Sequence, residues 1–125
     1  MSAQQGHPAV VYFYPKDGTP GCTKEACAFR DAWSRYEQAH IVVIGVSSNS
    51  AERHAEFLRD EHLPFALAAD EDGRIASAYG VGKGLFGYQR VTFLIDGAGK
   101  VARFWPNVDP AAHAEEVLAS ARDTR

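Results

Sequence analysis

The sequence predicts an α/β protein in which helices cover both faces of a mixed central sheet. Three short apolar runs alternate with helical segments, an order that favours a parallel sheet covered on both faces. Two further strand-like runs are separated by the turn "GAG" and followed by a helix, so that part of the sheet is expected to be antiparallel. The chain of 125 residues fits a single domain over residues 1–125.

Strands and helices alternate in the first part of the chain. The predicted strands are short β-branched or aromatic runs, Ala9–Tyr14, Ile41–Ser48 and Pro64–Asp70. The predicted helices run from Pro20 to about Ala39, from Ser50 to His62 and from Gly73 to Val81. Thr19 and Ser50 are suited to cap the first two helices, and Pro20 falls at a first helical position, where its missing N–H costs nothing.

The last part of the chain begins with a Gly-rich loop, Gly82–Tyr88. A hairpin of strands Arg90–Asp96 and Lys100–Pro106 follows, and a helix over Asp109–Arg122 closes the chain. The resulting order, β-α-β-α-β-α-β-β-α, is the one expected of a thioredoxin-like fold.

The composition excludes several classes of function. The formal net charge is −3, so the chain has no global basic surface for nucleic acid. Its longest apolar runs, Ala9–Phe13 and Ile41–Ile44, are far shorter than the roughly 20 residues that span a bilayer. The start "MSAQQGHP" has no charged region and no apolar core of the kind found in signal peptides, so we expect a cytoplasmic protein. Structural disulfides are rare in that compartment, so the two cysteines are better explained as reactive residues or as free core thiols.

The first of the two cysteines, Cys22, falls in the first turn of a predicted helix. The unpaired N–H groups and the dipole of a helix N-terminus favour an anion, so this position activates a sulfur nucleophile. Thr19 lies on the same turn, where its hydroxyl can form a hydrogen bond with a thiolate. The arrangement favours a nucleophilic cysteine, and the alternative is a free core thiol.

The second cysteine, Cys27, lies five residues further along the same helix. In an intact helix the two Cα atoms would be about 8 to 9 Å apart with side chains pointing roughly 140° apart, which is too far for a disulfide. A disulfide between Cys22 and Cys27 would therefore require local unwinding of the helix. Cys27 is equally compatible with a plain core thiol. A zinc site is disfavoured, because the histidines show no ligand spacing.

The segment "FYPKDGTPGCTKEACAFRD" resembles the active-site segment of peroxiredoxins of the Q type, the bacterioferritin comigratory proteins. Pro15, Thr19 and Cys22 match the family motif Pro-x-x-x-Thr-x-x-Cys. Cys27 matches the resolving cysteine of the subgroup that forms its disulfide within one helix. Arg90, which opens "RVTFLID", matches the active-site arginine. The resemblance extends from about residue 10 to about residue 118, and relatives usually carry a longer segment before their first strand.

The resemblance implies a thiol-dependent peroxidase acting on hydrogen peroxide and alkyl hydroperoxides. Cys22 would attack the peroxide, and Cys27 would then form an intramolecular disulfide with it. Arg90 would hold the thiolate and polarise the peroxide, Thr19 would exchange hydrogen bonds between the two, and Pro15 would shield the sulfur. Thioredoxin or a similar dithiol protein would restore the thiols, and no metal, haem or flavin is required. We expect a monomer, with a dimer as the alternative.

Other interpretations remain open from the residues alone. Arg90 could be a surface arginine at the start of a strand, and Glu25 could either anchor Arg90 or be solvated. A general thiol–disulfide oxidoreductase is disfavoured, because it would need Cys-x-x-Cys and a proline near position 90. A thioredoxin-like scaffold without catalysis is the other alternative.

Overall fold

The computed structural model describes residues 7–84, 87–106, 108–109 and 113–124. The described chain has strands and helices in the following bounds. The strands are β1 (Ala9–Phe13), β2 (Val42–Ser47), β3 (Ala66–Ala69), β4 (Lys83–Gly84), β5 (Gly87–Tyr88), β6 (Val91–Ile95) and β7 (Val101–Trp105). The helices are α1 (Pro20–Asp31), α2 (Trp33–Gln38), α3 (Ala51–Glu61), α4 (Arg74–Tyr79) and α5 (His113–Thr124).

The main sheet is mixed, as the sequence predicts. Its strand order is β3-β2-β1-β6-β7, and β4 pairs with β5 in a separate small ribbon. β1 pairs with β2 in parallel, as β2 does with β3. β6 runs antiparallel to both β1 and β7. The centre of the sheet is therefore β1, with a parallel neighbour on one side and an antiparallel neighbour on the other.

Apolar side chains of β1 alternate between the two faces of the sheet. Val10 and Tyr12 join a core cluster that includes residues of α1, α2, α3 and α5. Val11 and Phe13 join a second cluster on the opposite face, which α4 covers. The two-residue period of a strand directs successive side chains to opposite faces of the sheet. Because helices cover both faces, every residue of β1 is buried. The prediction of helices on both faces is confirmed.

Two details differ from the predicted elements, and a third cannot be compared. The predicted first helix is interrupted at Ala32, which separates α1 from α2. Beyond the interruption, Tyr36 is fully buried and its hydroxyl donates to the carbonyl oxygen of Ala114 in α5, at 2.6 Å. The predicted Gly-rich loop contains the β4–β5 ribbon. The start of the predicted C-terminal helix, at residues 110–112, lies outside the described residues.

Hydrogen bonds confirm two other predictions, the cap of α3 and the "GAG" turn. The hydroxyl of Ser50 accepts a hydrogen bond from the backbone N–H of Arg53 at 3.2 Å, so Ser50 caps α3. In the "GAG" turn, the Asp96 carboxylate accepts from the backbone N–H groups of Ala98 and Lys100. Among the helices of the described ranges, none combines the length and apolar character needed to cross a bilayer.

Gly45 of β2 leads to a prediction about packing. A methyl group at this position would lie 2.8 Å from Leu67 Cδ2 and 2.8 Å from Tyr12 Cζ. Tyr12 is fully buried and stacks on Phe29, so its ring has little room to move. We expect Gly45→Ala to lower the free energy of unfolding by about 1 to 3 kcal/mol, measured by urea denaturation.

Gly82→Ala is the matched control for this substitution. The methyl group there would lie 3.6 Å from the side chain of Gln89, an ordinary contact. The control should leave stability almost unchanged. Equal effects of the two variants would contradict the packing argument.

Candidate active site

The loop between β1 and α1 is held by a buried polar network centred on Asp17. Asp17 is 1% exposed, and both oxygens of its side chain are bonded. The hydroxyl of Tyr14 donates to Oδ1 at 2.5 Å, and Nδ1 of His54 lies 2.5 Å from Oδ2. The backbone N–H of Asp17 donates to Oδ1 of Asn49 at 2.8 Å. The network therefore ties the loop to the end of β2 and to α3.

The partners of His54 define which of its nitrogens carry hydrogen. Nε2 lies 3.1 Å from the carbonyl oxygen of Ala68, which can only accept, so Nε2 donates. Nδ1 faces the carboxyl group of Asp17, and a buried pair of this kind needs a proton between the two atoms. The sequence indicates only a surface or satisfied core histidine at this position, and His54 is a core histidine bonded through both nitrogens.

A close backbone contact fixes the same loop from the other side. Gly87 of β5 has φ of +109°, and a methyl group there would lie 2.3 Å from the carbonyl oxygen of Pro15. Only glycine combines this conformation with so close an approach. The β4–β5 ribbon thus packs directly on Pro15.

Cys22, Arg90 and Glu25 meet where the loop becomes α1. Cys22 lies in the first turn of α1 and is 1% exposed. Nη2 of Arg90 donates to the Cys22 sulfur at 3.3 Å, and Nη1 of the same guanidinium donates to Oε1 of Glu25 at 2.7 Å. Arg90 immediately precedes β6, whose first residue, Val91, pairs with Phe13 at the end of β1. The antiparallel pairing therefore brings the arginine to the cysteine.

Glu25 is the buried anchor of this arginine. Its side chain is fully buried, and Oε2 has no hydrogen-bond partner among the described residues. Burial raises the pKa of Glu25 to about 7, against the opposing effect of Arg90. Burial lowers the pKa of Arg90, but Glu25 and Cys22 outweigh it and the net shift is upward. The sequence leaves open whether Glu25 anchors Arg90 or is solvated, and the structure shows that it anchors Arg90.

The hydroxyl of Thr19 does not cap α1, contrary to the prediction. Thr19 occupies the N-cap position in an extended conformation, but it makes no side-chain cap hydrogen bond. Its hydroxyl donates instead to the carbonyl oxygen of Lys16 at 2.9 Å, a contact that closes the turn. Since the single hydroxyl hydrogen is used there, the oxygen of Thr19 presents only lone pairs to other groups.

Cys27 lies outside this cluster, as its position on the helix requires. Both thiols are free, and α1 is continuous from Pro20 to Asp31. Cys27 is half-buried, and its thiol donates to Oε1 of Glu61 at 3.4 Å. Burial, followed by the hydrogen bond to Glu61, raises the pKa of Cys27.

Comparison with known proteins identifies the family. The model described as the AhpC/TSA family matches residues 1–104. Peroxiredoxin Bcp of Bacillus subtilis is 41% identical over 98% of this chain and 83% of its own length. A protein of Coxiella burnetii, named as a candidate Bcp peroxiredoxin, is 45% identical over 91% of this chain and 80% of its own length. The chain belongs to the AhpC/TSA family. Within that family it is a peroxiredoxin of the Bcp or Q type.

A solved structure agrees with this assignment. The bacterioferritin comigratory protein of Xanthomonas campestris, studied for alkyl peroxide reduction, has a TM-score of 0.92 and 33% identity to this chain. The match covers 98% of this chain and 82% of that one. The thioredoxin-like fold predicted from the sequence is confirmed. As a peroxiredoxin, the protein is a peroxidase whose reaction takes a hydroperoxide as substrate and a thiol as reductant.

The structure gathers some of the site residues predicted from the sequence and separates others. Cys22 and Arg90 are in direct contact, Pro15 and Thr19 belong to the loop beside them, and Cys27 points away toward α3. The network of Tyr14, Asp17 and His54 is absent from the sequence interpretation. One signal could have indicated it: His54 lies three residues before Phe57, on the face of α3 that packs against the core.

The first prediction from this site concerns Asp17→Asn. The amide keeps one acceptor for Tyr14 but replaces the other oxygen with a donor, so the charge-assisted hydrogen bond with Nδ1 of His54 is lost. We expect the free energy of unfolding to fall by about 1 to 3 kcal/mol and the reaction of the protein with hydroperoxide to slow, because the loop beside Cys22 and Arg90 loses its anchor. Urea denaturation and the second-order rate constant for peroxide measure the two effects. Asp96→Asn, in the β6–β7 turn, is the matched control: its amide oxygen can accept the same two backbone hydrogen bonds, so both stability and rate should stay close to wild type. Unchanged peroxide kinetics in Asp17→Asn would show that the network does not position the site.

The second prediction follows from the raised pKa of Glu25. Because this pKa moves from 4.5 to about 7 on folding, the folded protein keeps a proton that the unfolded chain loses. The contribution of Glu25 to the free energy of unfolding should therefore fall as pH rises from about 5 to 8, by up to about 3 kcal/mol. Glu25→Gln should remove this part of the pH dependence. Urea denaturation of both proteins across that range is the test, and parallel pH curves would exclude the effect.

Proposed function

We propose that this peroxiredoxin reduces hydrogen peroxide and alkyl hydroperoxides at Cys22 and forms a Cys22–Cys27 disulfide in each cycle. The observation that carries the proposal is the hydrogen bond from Arg90 to the sulfur of Cys22 at 3.3 Å. The guanidinium is permanently charged and at this distance can hold the sulfur and stabilise negative charge that develops as a peroxide reacts with it. The reduction activity named for the Xanthomonas campestris relative supports alkyl hydroperoxides as substrates.

In the first step, the thiolate of Cys22 attacks the terminal oxygen of the hydroperoxide. The O–O bond breaks, Cys22 becomes a sulfenic acid, and the other oxygen leaves as water or an alcohol after taking up a proton. Arg90 has donors for both the sulfur and a peroxide oxygen, and Glu25 keeps it in place.

Thr19 and Pro15 act on the same peroxide. The free lone pairs of the Thr19 hydroxyl suit it to accept a hydrogen bond from the peroxide O–H. Pro15, held by Gly87, keeps bulk water from the sulfur and so strengthens the local electrostatic interactions.

In the second step, the sulfur of Cys27 attacks the sulfur of Cys22. The S–O bond of the sulfenic acid breaks, and hydroxide leaves as water with the proton lost by Cys27. Because an intact helix keeps the two residues about 8 to 9 Å apart, α1 must unwind locally before this attack.

The disulfide is then reduced by an external dithiol protein. Thiol–disulfide exchange with thioredoxin or a similar reductant returns both thiols and leaves the reductant oxidised. We place the protein in the cytoplasm, where such reductants are present. We also propose that residues 1–125 act as one domain and that the working form is a monomer.

The test is a reaction of fully reduced protein with one equivalent of hydrogen peroxide near neutral pH. Intact mass and free thiols are followed over seconds, with Cys22→Ser and Cys27→Ser in parallel. Wild type should lose both thiols and two hydrogens. Cys27→Ser should gain one oxygen on Cys22, because its sulfenic acid has no partner, and Cys22→Ser should not react on this timescale.

Two outcomes would contradict the proposal. Survival of both wild-type thiols for minutes would exclude Cys22 as the peroxide-reactive residue in this chain. Accumulation of a sulfenic or sulfinic acid in wild type without a disulfide would leave Cys22 in its role but exclude Cys27 as its partner.

A further inference from the structure

Glu61, the last residue of α3, is held by two side chains of α1. Its carboxylate accepts the hydrogen bond from the thiol of Cys27 at 3.4 Å. Its backbone carbonyl oxygen accepts from Nη1 of Arg30 at 2.7 Å. The two donors lie three residues apart on α1 and so occupy the same face of the helix. Glu61 is therefore a two-point contact between α3 and the segment of α1 that contains Cys27.

The contact from Arg30 stabilises the end of α3. The last carbonyl groups of a helix have no partner within it, and a cation near them is favourable. His62, which follows Glu61, adopts a left-handed conformation with φ of 53° and ends the helix. Arg30 of α1 therefore supplies a hydrogen-bond donor for a carbonyl group at the end of α3. Displacement of this part of α1 would remove that donor.

The contact from Cys27 affects its chemistry. A carboxylate next to a thiol favours the protonated form, and burial acts in the same direction. The pKa of Cys27 is raised by burial first and by Glu61 next, with Arg30 opposing. The thiolate is the form that attacks sulfur, so Cys27 is less reactive while it remains beside Glu61.

We propose that Glu61 is a positioning residue for disulfide formation, which keeps Cys27 as a thiol on the wound helix and releases it only when α1 opens. The inference rests on the proposed role of Cys27 as the partner of Cys22. An opening that carries Cys27 toward Cys22 moves its thiol away from α3 and so breaks the hydrogen bond with Glu61. Freed from the carboxylate, Cys27 loses its proton more readily and attacks the sulfenic acid.

The strength of this contact should decide the fate of the sulfenic acid. One path is attack by Cys27, which yields the disulfide and water. The competing path is attack of the sulfenic acid on a second hydroperoxide, which yields a sulfinic acid and water or an alcohol. A firm contact with Glu61 prolongs the life of the sulfenic acid and favours the second path at high peroxide.

Charged groups on every neighbouring element must be considered in a test based on pH. Those that act on Cys27 or line the groove beside it are Lys24, Arg30, Asp31 and Arg35 on α1 and α2, Glu61 on α3 and Glu115 on α5. Glu61 is the one among them that accepts a hydrogen bond from the thiol. A substitution of Glu61 therefore changes the thiol directly, while the other charges stay constant.

The first experiment measures the alkylation of Cys27 by iodoacetamide as a function of pH. It is done in a Cys22→Ser background, where Cys27 is the remaining cysteine of the chain. Glu61→Gln should raise the alkylation rate at neutral pH by about fivefold and move the pH profile to lower pH, as expected for one charge-assisted hydrogen bond. Glu61→Asp, which keeps the carboxylate, should restore part of the wild-type profile. Glu52→Gln, at the other end of α3, is the matched control and should have no effect.

The second experiment measures the fate of Cys22 in the presence of both cysteines. Reduced protein is treated with increasing hydrogen peroxide, and the disulfide and sulfinic acid are quantified by intact mass. Glu61→Gln should form the disulfide several times faster than wild type and require more peroxide to reach the same sulfinic fraction. Glu52→Gln should again match wild type.

The two experiments separate this inference from the proposed function. An unchanged alkylation profile in Glu61→Gln would overturn the role of Glu61. So would a changed profile with unchanged rates of disulfide formation. Absence of any disulfide in wild type would instead exclude the role of Cys27, and the present inference would fall with it.

Discussion

The antiparallel pairing of β1 with β6 is the constraint on which the site depends. It places Phe13 beside Val91, so the loop that leaves β1 and the residue that enters β6 meet at the same edge of the sheet. The loop leads to Cys22, and the residue before Val91 is Arg90. A shift of one residue in this register would turn the side chains of β6 to the opposite face and separate the arginine from the sulfur. The chemistry of the cysteine therefore rests on the burial of both faces of β1, which specifies the register.

Patterns in the sequence predict most of this fold, because the strands are short apolar runs bounded by turn residues. The interruption at Ala32 has no such signal, since apolar residues at helical spacing continue past it to Tyr36. The sequence predicts that the hydroxyl of Thr19 caps α1, yet it donates to the carbonyl oxygen of Lys16 within the turn. A threonine hydroxyl before a helix can bond either to the backbone of the helix or to the backbone of the preceding turn. The conformation of the loop, which the tertiary structure fixes, decides between these two partners.

The candidate site divides in the same way. Pro15, Thr19 and Cys22 are close in the chain, so a motif can indicate them together. The network around Asp17 joins residues 37 positions apart, and each member has an ordinary local explanation as a turn or helix residue. Only the fold shows that the aspartate and histidine are buried and in contact. The contact of Cys27 with Glu61 escapes sequence reasoning for the same reason, because it depends on how α1 and α3 pack.

The helix α1 meets two opposite demands. In the proposed cycle, its first turn must hold Cys22 firmly against Arg90, while the turns that follow must open for Cys27 to reach it. Glu25 lies between the two cysteines, so an opening that joins their sulfurs also removes its carboxyl group from Arg90. Burial has already raised the pKa of Glu25 to about 7, so its ionised form is poorly stabilised in the wound helix. Water regained on opening offsets much of the lost ion pair, and the anchor that orders the site for peroxide therefore opposes the later unwinding only weakly.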